Sequence, residues 1–178
     1  MHILAISGSL RKESYNNALL RAFAELAPEG MTIEMADISA LPLFNQDSEA
    51  AFPEAATELK KKIEASDGLI IATPEYNRSM PGVLKNAIDW ASRPWGKNSF
   101  TGKPVVTCGI SVGKIGTAVA QSHLRQVLNY LDAHVVGQPE LYLGPAAEIL
   151  HADGKLAKDE TKEVLRRALE ALAARVSK

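Results

Sequence analysis

Residues 2–26 read HILAISGSLRKESYNNALLRAFAEL: an apolar run, a serine- and glycine-rich stretch, and a segment with apolar residues at helical spacing. The run HILAI predicts a buried strand, and Leu19, Leu20, Phe23 and Leu26 fall on one face of a predicted helix. A strand, a loop and a helix in that order form the repeating unit of parallel α/β sheets. The stretch therefore predicts a parallel α/β fold.

The same alternation continues along the chain. Further strands are predicted at MTIEMAD (31–37), GLIIATP (68–74), PVVTCGIS (104–111) and AHVVG with ELYL (133–143), the last bent at Pro139. Helices are predicted at about 53–65, 81–92, 116–131 and 159–176, and a long loop after the second strand. Five strands alternating with helices predict a parallel sheet covered on both faces, in one domain spanning 1–178.

Composition limits the classes of function. The chain has 178 residues, a net charge of −1 and no run of like charges, so we expect neither nucleic acid nor a membrane surface as a partner. Cys108 is the single cysteine and the four histidines are scattered, so we expect no disulfide and no metal site. No segment reads as a membrane span or a signal peptide. A soluble, cytoplasmic protein is expected.

The loop after the first strand is a candidate phosphate site. It lies at the carboxyl end of a strand, where open parallel sheets bind ligands, and a helix begins directly after it. It is neither G-x-G-x-x-G nor a P-loop, so a phosphomonoester such as that of flavin mononucleotide (FMN) fits better than a dinucleotide or ATP. An ordinary capped turn is the alternative. The candidate ligands are Ser7, Ser9, Arg11, Ser14, Asn16 and Asn17.

Two more loops follow central strands and are expected at the same edge of the sheet. TPEYNRSMPG (73–82) offers an aromatic face at Tyr76, an amide at Asn77 and backbone N–H groups, which suits a flat ring with polar edges. The alternatives are a partly buried loop aromatic for Tyr76 and a helix-capping or solvated carboxylate for Glu75. SVGKIGT (111–117) is a glycine-containing loop that would lie against the outer edge of the ring.

These segments resemble a known family. GSLRKESYNNALL, PEYNRSMPGVLKNAIDW and SVGKIGTAVAQSHLRQVLNYLDAHVV are similar to the NAD(P)H-dependent FMN reductases, with bacterial quinone and chromate reductases as near relatives and azoreductases nearby. The resemblance implies a flavodoxin-like three-layer sandwich with strand order 2-1-3-4-5. It also implies a homodimer or homotetramer. It places the phosphate of FMN at the six residues of the first loop, and its ring near Pro74, Glu75, Tyr76, Asn77, Ser111 and Gly113.

Three positions depart from the family pattern. Arg78 stands where a glycine, asparagine or tyrosine is usual, and an arginine there would hold a phosphate of the nicotinamide cofactor, an anionic acceptor or an interface carboxylate. Thr117 replaces the second residue of a usual glycine pair. Glu13 replaces a frequent glycine and is expected to face away from the phosphate.

The resemblance implies an oxidoreductase in which the flavin carries out the chemistry. A hydride passes from NADPH or NADH to N5 of FMN, and electrons then go to a quinone, flavin, azo dye or metal oxyanion in ping-pong turnover. No catalytic side chain is expected; backbone N–H groups near Asn77 would meet the charge that develops on the ring. The alternatives are a flavodoxin-type electron carrier and a non-catalytic flavin-binding regulator.

Overall fold

The structure is a computed structural model that describes residues 1–177. Its strands are β1 (His2–Ser7), β2 (Thr32–Ala36), β3 (Gly68–Ala72), β4 (Pro104–Ile110), β5 (His134–Val135) and β6 (Leu141–Leu143). Its α-helices are α1 (Tyr15–Glu25), α2 (Glu54–Ala65), α3 (Gly82–Ala91), α4 (Ala118–Tyr130), α5 (Ala146–Ile149) and α6 (Asp159–Val176). A 3-10 helix, Gln46–Ala51, lies within the segment predicted as a loop, and α5 was not predicted.

The strands form one parallel sheet in the order β2-β1-β3-β4-β5, as predicted. The predicted fifth strand is divided in two around Pro139. β5 pairs with the beginning of β4, and β6 pairs with its end through Cys108↔Leu141 to Ile110↔Leu143. β2 lies at the opposite edge and is the least buried of the long strands, in agreement with its alternating sequence.

Helices cover both faces of the sheet because the strand side chains alternate between two cores. Ile3 and Ala5 of β1 belong to the core under α1 and α6, whereas Leu4 and Ile6 belong to the core under α2, α3 and α4. The order of strands and the two helical layers confirm the flavodoxin-like three-layer prediction. In residues 1–177, none of the helices combines the length and the apolar character needed to cross a membrane.

Candidate functional site

The first loop, residues 7–17, leaves β1 at Ser7 and is held against the end of β3. The Gly8 N–H donates to the Ala72 carbonyl oxygen at 2.8 Å. A Cβ on Gly8 would lie 3.1 Å from Leu84 and 3.2 Å from Pro74, so a glycine permits this close approach to the second loop and to α3. The first and second loops are therefore packed together.

The serines of the first loop accept hydrogen bonds from the loop's own backbone. Ser7 Oγ accepts from the Ser9 N–H, and Ser9 Oγ accepts from the Arg11 N–H. Ser14 caps α1: its Oγ accepts from the N–H groups of Asn16 and Asn17 at 3.2 and 3.4 Å. Each bond uses a lone pair of the hydroxyl oxygen and leaves its proton available to donate. The first loop is therefore a capped turn, which is the alternative to a phosphate site. In this turn the serine hydroxyl protons still have no acceptor among the bonds described.

The two asparagines of the loop have different positions. Asn16 is buried, donates through Nδ2 to the Ile110 carbonyl at 3.2 Å, and accepts through Oδ1 from the Ile110 N–H at 3.1 Å. This pair of bonds ties the start of α1 to the end of β4. Asn17 donates through Nδ2 to the Arg11 carbonyl, and its buried Oδ1 has no hydrogen-bond partner among residues 1–177.

This pattern of donors and acceptors fits FMN. The serine protons and the exposed Arg11 guanidinium are donors for a phosphate. The unsatisfied Asn17 Oδ1 is an acceptor, so it suits a hydroxyl group such as those of the ribityl chain and not a phosphate oxygen. In the structure the Asn16 side chain is hydrogen-bonded to β4. Its predicted contact with the phosphate stays a prediction.

The second loop contains a tight two-residue turn. Tyr76 and Ser79 exchange both backbone hydrogen bonds at 3.0 Å, and the central residues Asn77 and Arg78 have φ of 52° and 62°. Positive φ at both central positions is the type I′ geometry, which favours asparagine and glycine. A glycine or asparagine at position 78, two of the three residues expected there from the resemblance, would suit this backbone better than the arginine. The turn exposes the Tyr76 side chain and the amide of Asn77.

Glu75 links the second loop to α4. Its side chain is only 9% exposed, and its Oε2 accepts from the N–H groups of Val119 and Ala120, both at 3.1 Å. Its Oε1 accepts from Arg78 Nη1 at 3.0 Å. The N-cap residue of α4, Thr117, makes no side-chain capping bond, so Glu75 supplies that cap from 44 residues away. The helix-capping alternative for Glu75 is confirmed.

Backbone N–H groups of the second loop remain free for a ligand. The Tyr76 N–H is used within the turn, but within the described residues the N–H groups of Glu75 and Asn77 have no acceptor. Pro74, which precedes them, is buried. The loop therefore offers two backbone donors beside a half-exposed aromatic side chain, the combination expected for the polar edge of a flat ring.

The third loop connects β4 to α4. Ser111 bonds on both sides: its N–H donates to Leu143 and its Oγ to the Gly113 carbonyl at 2.9 Å. Gly116 and Thr117 have φ of 61° and 66°, so both residues of the usual glycine pair adopt the left-handed conformation. Thr117 is a β-branched residue in that region, which is sterically unfavourable. Its Oγ1 accepts from Gln121 Nε2 at 3.0 Å, a bond that helps to hold it there.

The three loops meet because β1, β3 and β4 are neighbours in the sheet. Hydrogen bonds also tie each of two loops to an element that flanks another loop: Gly8 to Ala72 at the end of β3, Asn16 to Ile110 at the end of β4, and Glu75 to Val119 at the start of α4. The structure thus brings the first, second and third loops to one edge of the sheet, as the sequence predicts. Neither the role of Asn16 nor that of Glu75 has a local sequence signal, since the bonded partners lie 94 and 44 residues away.

Other polar groups lie near this edge. His123 Nδ1 is 3.0 Å from Ser79 Oγ of the second loop, and among residues 1–177 it makes no hydrogen bond to the serines of the first loop. Cys108 is fully buried in β4, and burial raises the pKa of its thiol, which keeps it neutral and unreactive. In the part of the chain that the structure describes, no cluster of histidine, cysteine and carboxylate side chains could hold a metal ion.

A cleft of about 920 Å³ lies away from the three loops, between α3, the segment after it and α4. Phe44, Trp95 and Tyr130 are among its lining residues, and Trp95 and Tyr130 are 78% and 74% exposed. It contains no residue of the first, second or third loop, so we do not assign it to the cofactor. It is instead a surface with exposed aromatic side chains.

Comparison with known proteins agrees with this geometry. The sequence model of the family described as NADPH-dependent FMN reductase matches residues 1–148. The chain is 48% identical to a 2-hydroxy-1,4-benzoquinone reductase from Burkholderia sp. over 98% of this chain and 95% of that protein. It is 50% identical to an NAD(P)H-dependent FMN reductase from Pseudomonas aeruginosa over 96% and 92%. The structure of FerB, a flavoenzyme NAD(P)H:(acceptor) oxidoreductase from Paracoccus denitrificans, is 39% identical and superposes with a TM-score of 0.92 over 99% of this chain and 97% of FerB.

Proposed function

The chain belongs to the NADPH-dependent FMN reductase family, and on that premise we propose that it reduces small quinones with electrons from NADPH or NADH. It is a flavoprotein oxidoreductase that uses FMN as its cofactor and NAD(P)H as its electron donor. A quinone is the proposed acceptor because the Burkholderia relative is a 2-hydroxy-1,4-benzoquinone reductase and a relative from Pseudomonas putida, 44% identical, is a quinone reductase.

The observation that carries the proposal is the donor and acceptor pattern of the first loop. Ser7, Ser9 and Ser14 are buried and retain hydroxyl protons, and Arg11 adds a charge at the same turn. We assign them to the phosphate of FMN, and Asn17 Oδ1 to a ribityl hydroxyl. Residues 1–178 then act as one FMN-binding domain.

The second and third loops would orient the ring. The free N–H groups of Glu75 and Asn77 donate to its polar edge, and the half-exposed Tyr76 side chain provides an apolar surface beside it. We assign Ser111 and Gly113, which are joined by a hydrogen bond, to the opposite side of the ring. The Glu75 side chain keeps this arrangement rigid through α4, so its contribution to the ring is made by its backbone and not by its carboxylate.

Bound FMN supplies two-electron redox chemistry between a nicotinamide and an acceptor. The chain itself contributes fixed backbone dipoles where negative charge develops, which stabilise it without reorganisation. Reduction of a quinone to a hydroquinone also consumes one proton from outside the nicotinamide. Asn77 and Arg78 are exposed, so water reaches this side of the loop and supplies that proton.

Donor and acceptor would use one site in turn, which produces ping-pong kinetics. Arg78 supports this proposal: its guanidinium bonds to Glu75 through Nη1 and is 66% exposed, which leaves other N–H groups for an anionic part of the donor or the acceptor. Chromate, azo dyes and free flavin are further proposed acceptors.

We assign the exposed aromatic surface near Trp95 and Tyr130 to contact with a second copy of the chain, as a homodimer or homotetramer. The apolar face of α4 does not serve for this, because Leu124 and Leu128 are fully buried in the core of the same chain. Light scattering at several protein concentrations, with Trp95→Ala as a variant, tests the assembly. A monomer at all concentrations would contradict it.

An anaerobic titration tests the function. Protein loaded with FMN should lose its absorbance near 450 nm when NADPH or NADH is added, and a 1,4-benzoquinone should restore it. Reciprocal plots at several quinone concentrations should be parallel. Slow bleaching by both nicotinamides with fast bleaching by a reduced partner protein would instead indicate an electron carrier. Bound flavin without turnover on any acceptor would indicate a regulator.

A further inference from the structure

A second cleft, of about 550 Å³, begins at the first loop and extends along α1 to the segment after α5. One wall is formed by residues 11–15 with Ala18 and Arg21, and the other by residues 146–147 and 150–154. Since it includes Arg11 and Ser14, it is continuous with the proposed site of the FMN phosphate. We call it the basic cleft after Arg11, Lys12, Arg21 and His151, which line it.

The cations of the basic cleft are not neutralised by ion pairs. In residues 1–177, neither Lys12 nor Arg21 has a carboxylate oxygen within 4 Å. Of the two carboxylates that line the cleft, Asp153 accepts from the Lys155 N–H at 3.0 Å within its own turn, and Glu13 is exposed. Two cations without partners across from a histidine form a site that attracts an anion.

One wall of the cleft includes the aromatic side chain of Tyr15, so the cleft favours an anion attached to an aromatic group. Arg11 lies over the Tyr15 ring at 5.3 Å from its centroid, which provides a flat surface on which a nucleobase stacks. On the opposite wall Gly154 has φ of 81°, and a Cβ there would lie 3.7 Å from Arg21 Nη2. The left-handed backbone favours glycine at this position, and the distance places the opposite wall of the cleft beside the Arg21 guanidinium.

The geometry points to the 2′-phosphoadenosine end of NADPH as the ligand of the basic cleft. Lys12 and Arg21 contact the 2′-phosphate, and the adenine stacks near Tyr15, while Arg11 remains with the phosphate of FMN. The assignment rests on the proposed function, which places FMN and the nicotinamide at the adjoining loops. NADH carries the same adenosine without that phosphate, so the basic cleft makes the enzyme prefer NADPH. Glu13, on the same wall, weakens this preference by repulsion.

Binding of two fragments to the FMN-loaded protein tests the assignment. By calorimetry, adenosine 2′,5′-bisphosphate should bind at least about tenfold more tightly than 5′-AMP, since charge-assisted bonds to the extra phosphate distinguish them. Lys12→Ala with Arg21→Ala should remove this difference and leave the affinity for 5′-AMP unchanged. Arg21→Lys should retain part of this difference in affinity between the two fragments, and Glu13→Gln should increase the difference. Lys61→Ala, at an exposed lysine of α2 outside both clefts, is the matched control.

Steady-state kinetics provide a second readout. The double variant should raise the KM for NADPH about tenfold or more while the KM for NADH and both kcat values stay unchanged. Equal affinity of the wild-type protein for the two fragments, or competition by inorganic phosphate as strong as that by the bisphosphate, would overturn the assignment. These results are independent of the proposed function: if the wild-type protein oxidises NADH and NADPH but binds the fragments equally, only the assignment of the cleft is wrong.

Discussion

Replacement of Glu75 by alanine tests how the second loop is held. The change removes the acceptor of the Val119 and Ala120 N–H groups and leaves both without a side-chain cap at the start of α4. Loss of an N-cap lowers the free energy of unfolding by about 0.5–2 kcal/mol, and loss of a carboxylate from a partly buried helix N-terminus by up to about 2 kcal/mol. We therefore expect a loss of about 2–3 kcal/mol for Glu75→Ala.

The measurement is urea denaturation and thermal melting of the FMN-free and FMN-loaded protein. For a chain of this size, 1 kcal/mol corresponds to about 2–4 °C, so the midpoint should fall by roughly 4–12 °C. Glu75→Gln keeps an oxygen acceptor and should lose less than half as much. The affinity for FMN should fall as well, because the loop that carries Tyr76 and Asn77 loses its anchor.

Arg78→Ala is the matched control, since it removes the ion pair between Glu75 and the exposed Arg78 but leaves the cap. Such pairs contribute about 0–1 kcal/mol. If Glu75→Ala destabilises the FMN-free protein no more than Arg78→Ala does, the carboxylate does not hold α4. A loss of stability confined to the FMN-loaded protein would mean that the carboxylate acts on the cofactor directly.

Three further predictions concern the first loop, the buried thiol and the sheet edge. Ser9→Ala with Arg11→Ala should weaken FMN binding at least tenfold in a fluorescence titration, since charged hydrogen bonds contribute about 1.5–3 kcal/mol each; an unchanged curve would place the phosphate elsewhere. Burial raises the pKa of Cys108, so a thiol reagent should label it only after unfolding, and rapid labelling of the native protein would contradict its position. A bond from Lys62 holds the pKa of Glu34 below the ordinary 4.5, so Glu34→Gln should lower the free energy of unfolding by about 0.5 kcal/mol at pH 7. This difference should decline as the pH falls below 4.5 and through the lowered pKa of the folded state, and a loss that is undiminished at pH 3 would exclude the ion pair as its cause.

Most secondary-structure elements and their order could be predicted from the sequence, because hydrophobic periodicity is a local property of the chain. The continuous apolar run of β3 and the alternating run of β2 place these strands at the centre and the edge of the sheet. Pro139 predicts an interrupted last strand, and the structure divides it into β5 and β6. The 3-10 helix and α5 were missed because such short elements have almost no periodicity.

The sequence predicted which loops form the candidate site, but it did not predict what their side chains contact. The three loops follow neighbouring parallel strands, so their meeting follows from topology. The carboxylate of Glu75, in contrast, points to α4, and the amide of Asn16 to β4. Arg21 lies one turn beyond the motif of the first loop and His151 follows α5, so their place in the basic cleft depends on the packing of α5 near α1.

The double hydrogen bond between Asn16 and Ile110 has a consequence for engineering. The two bonds fix the start of α1 against the end of β4. A substitution at Asn16 would therefore displace the first and third loops, which adjoin these two elements, together. Libraries that aim to change substrate choice should leave this pair of hydrogen bonds and Arg11 intact and vary the exposed positions 10, 12 and 13 instead. A first loop that is transplanted from another family member should contain an asparagine at position 16. Without it, the transplanted segment loses its hydrogen bonds to β4 and its alignment with the sheet.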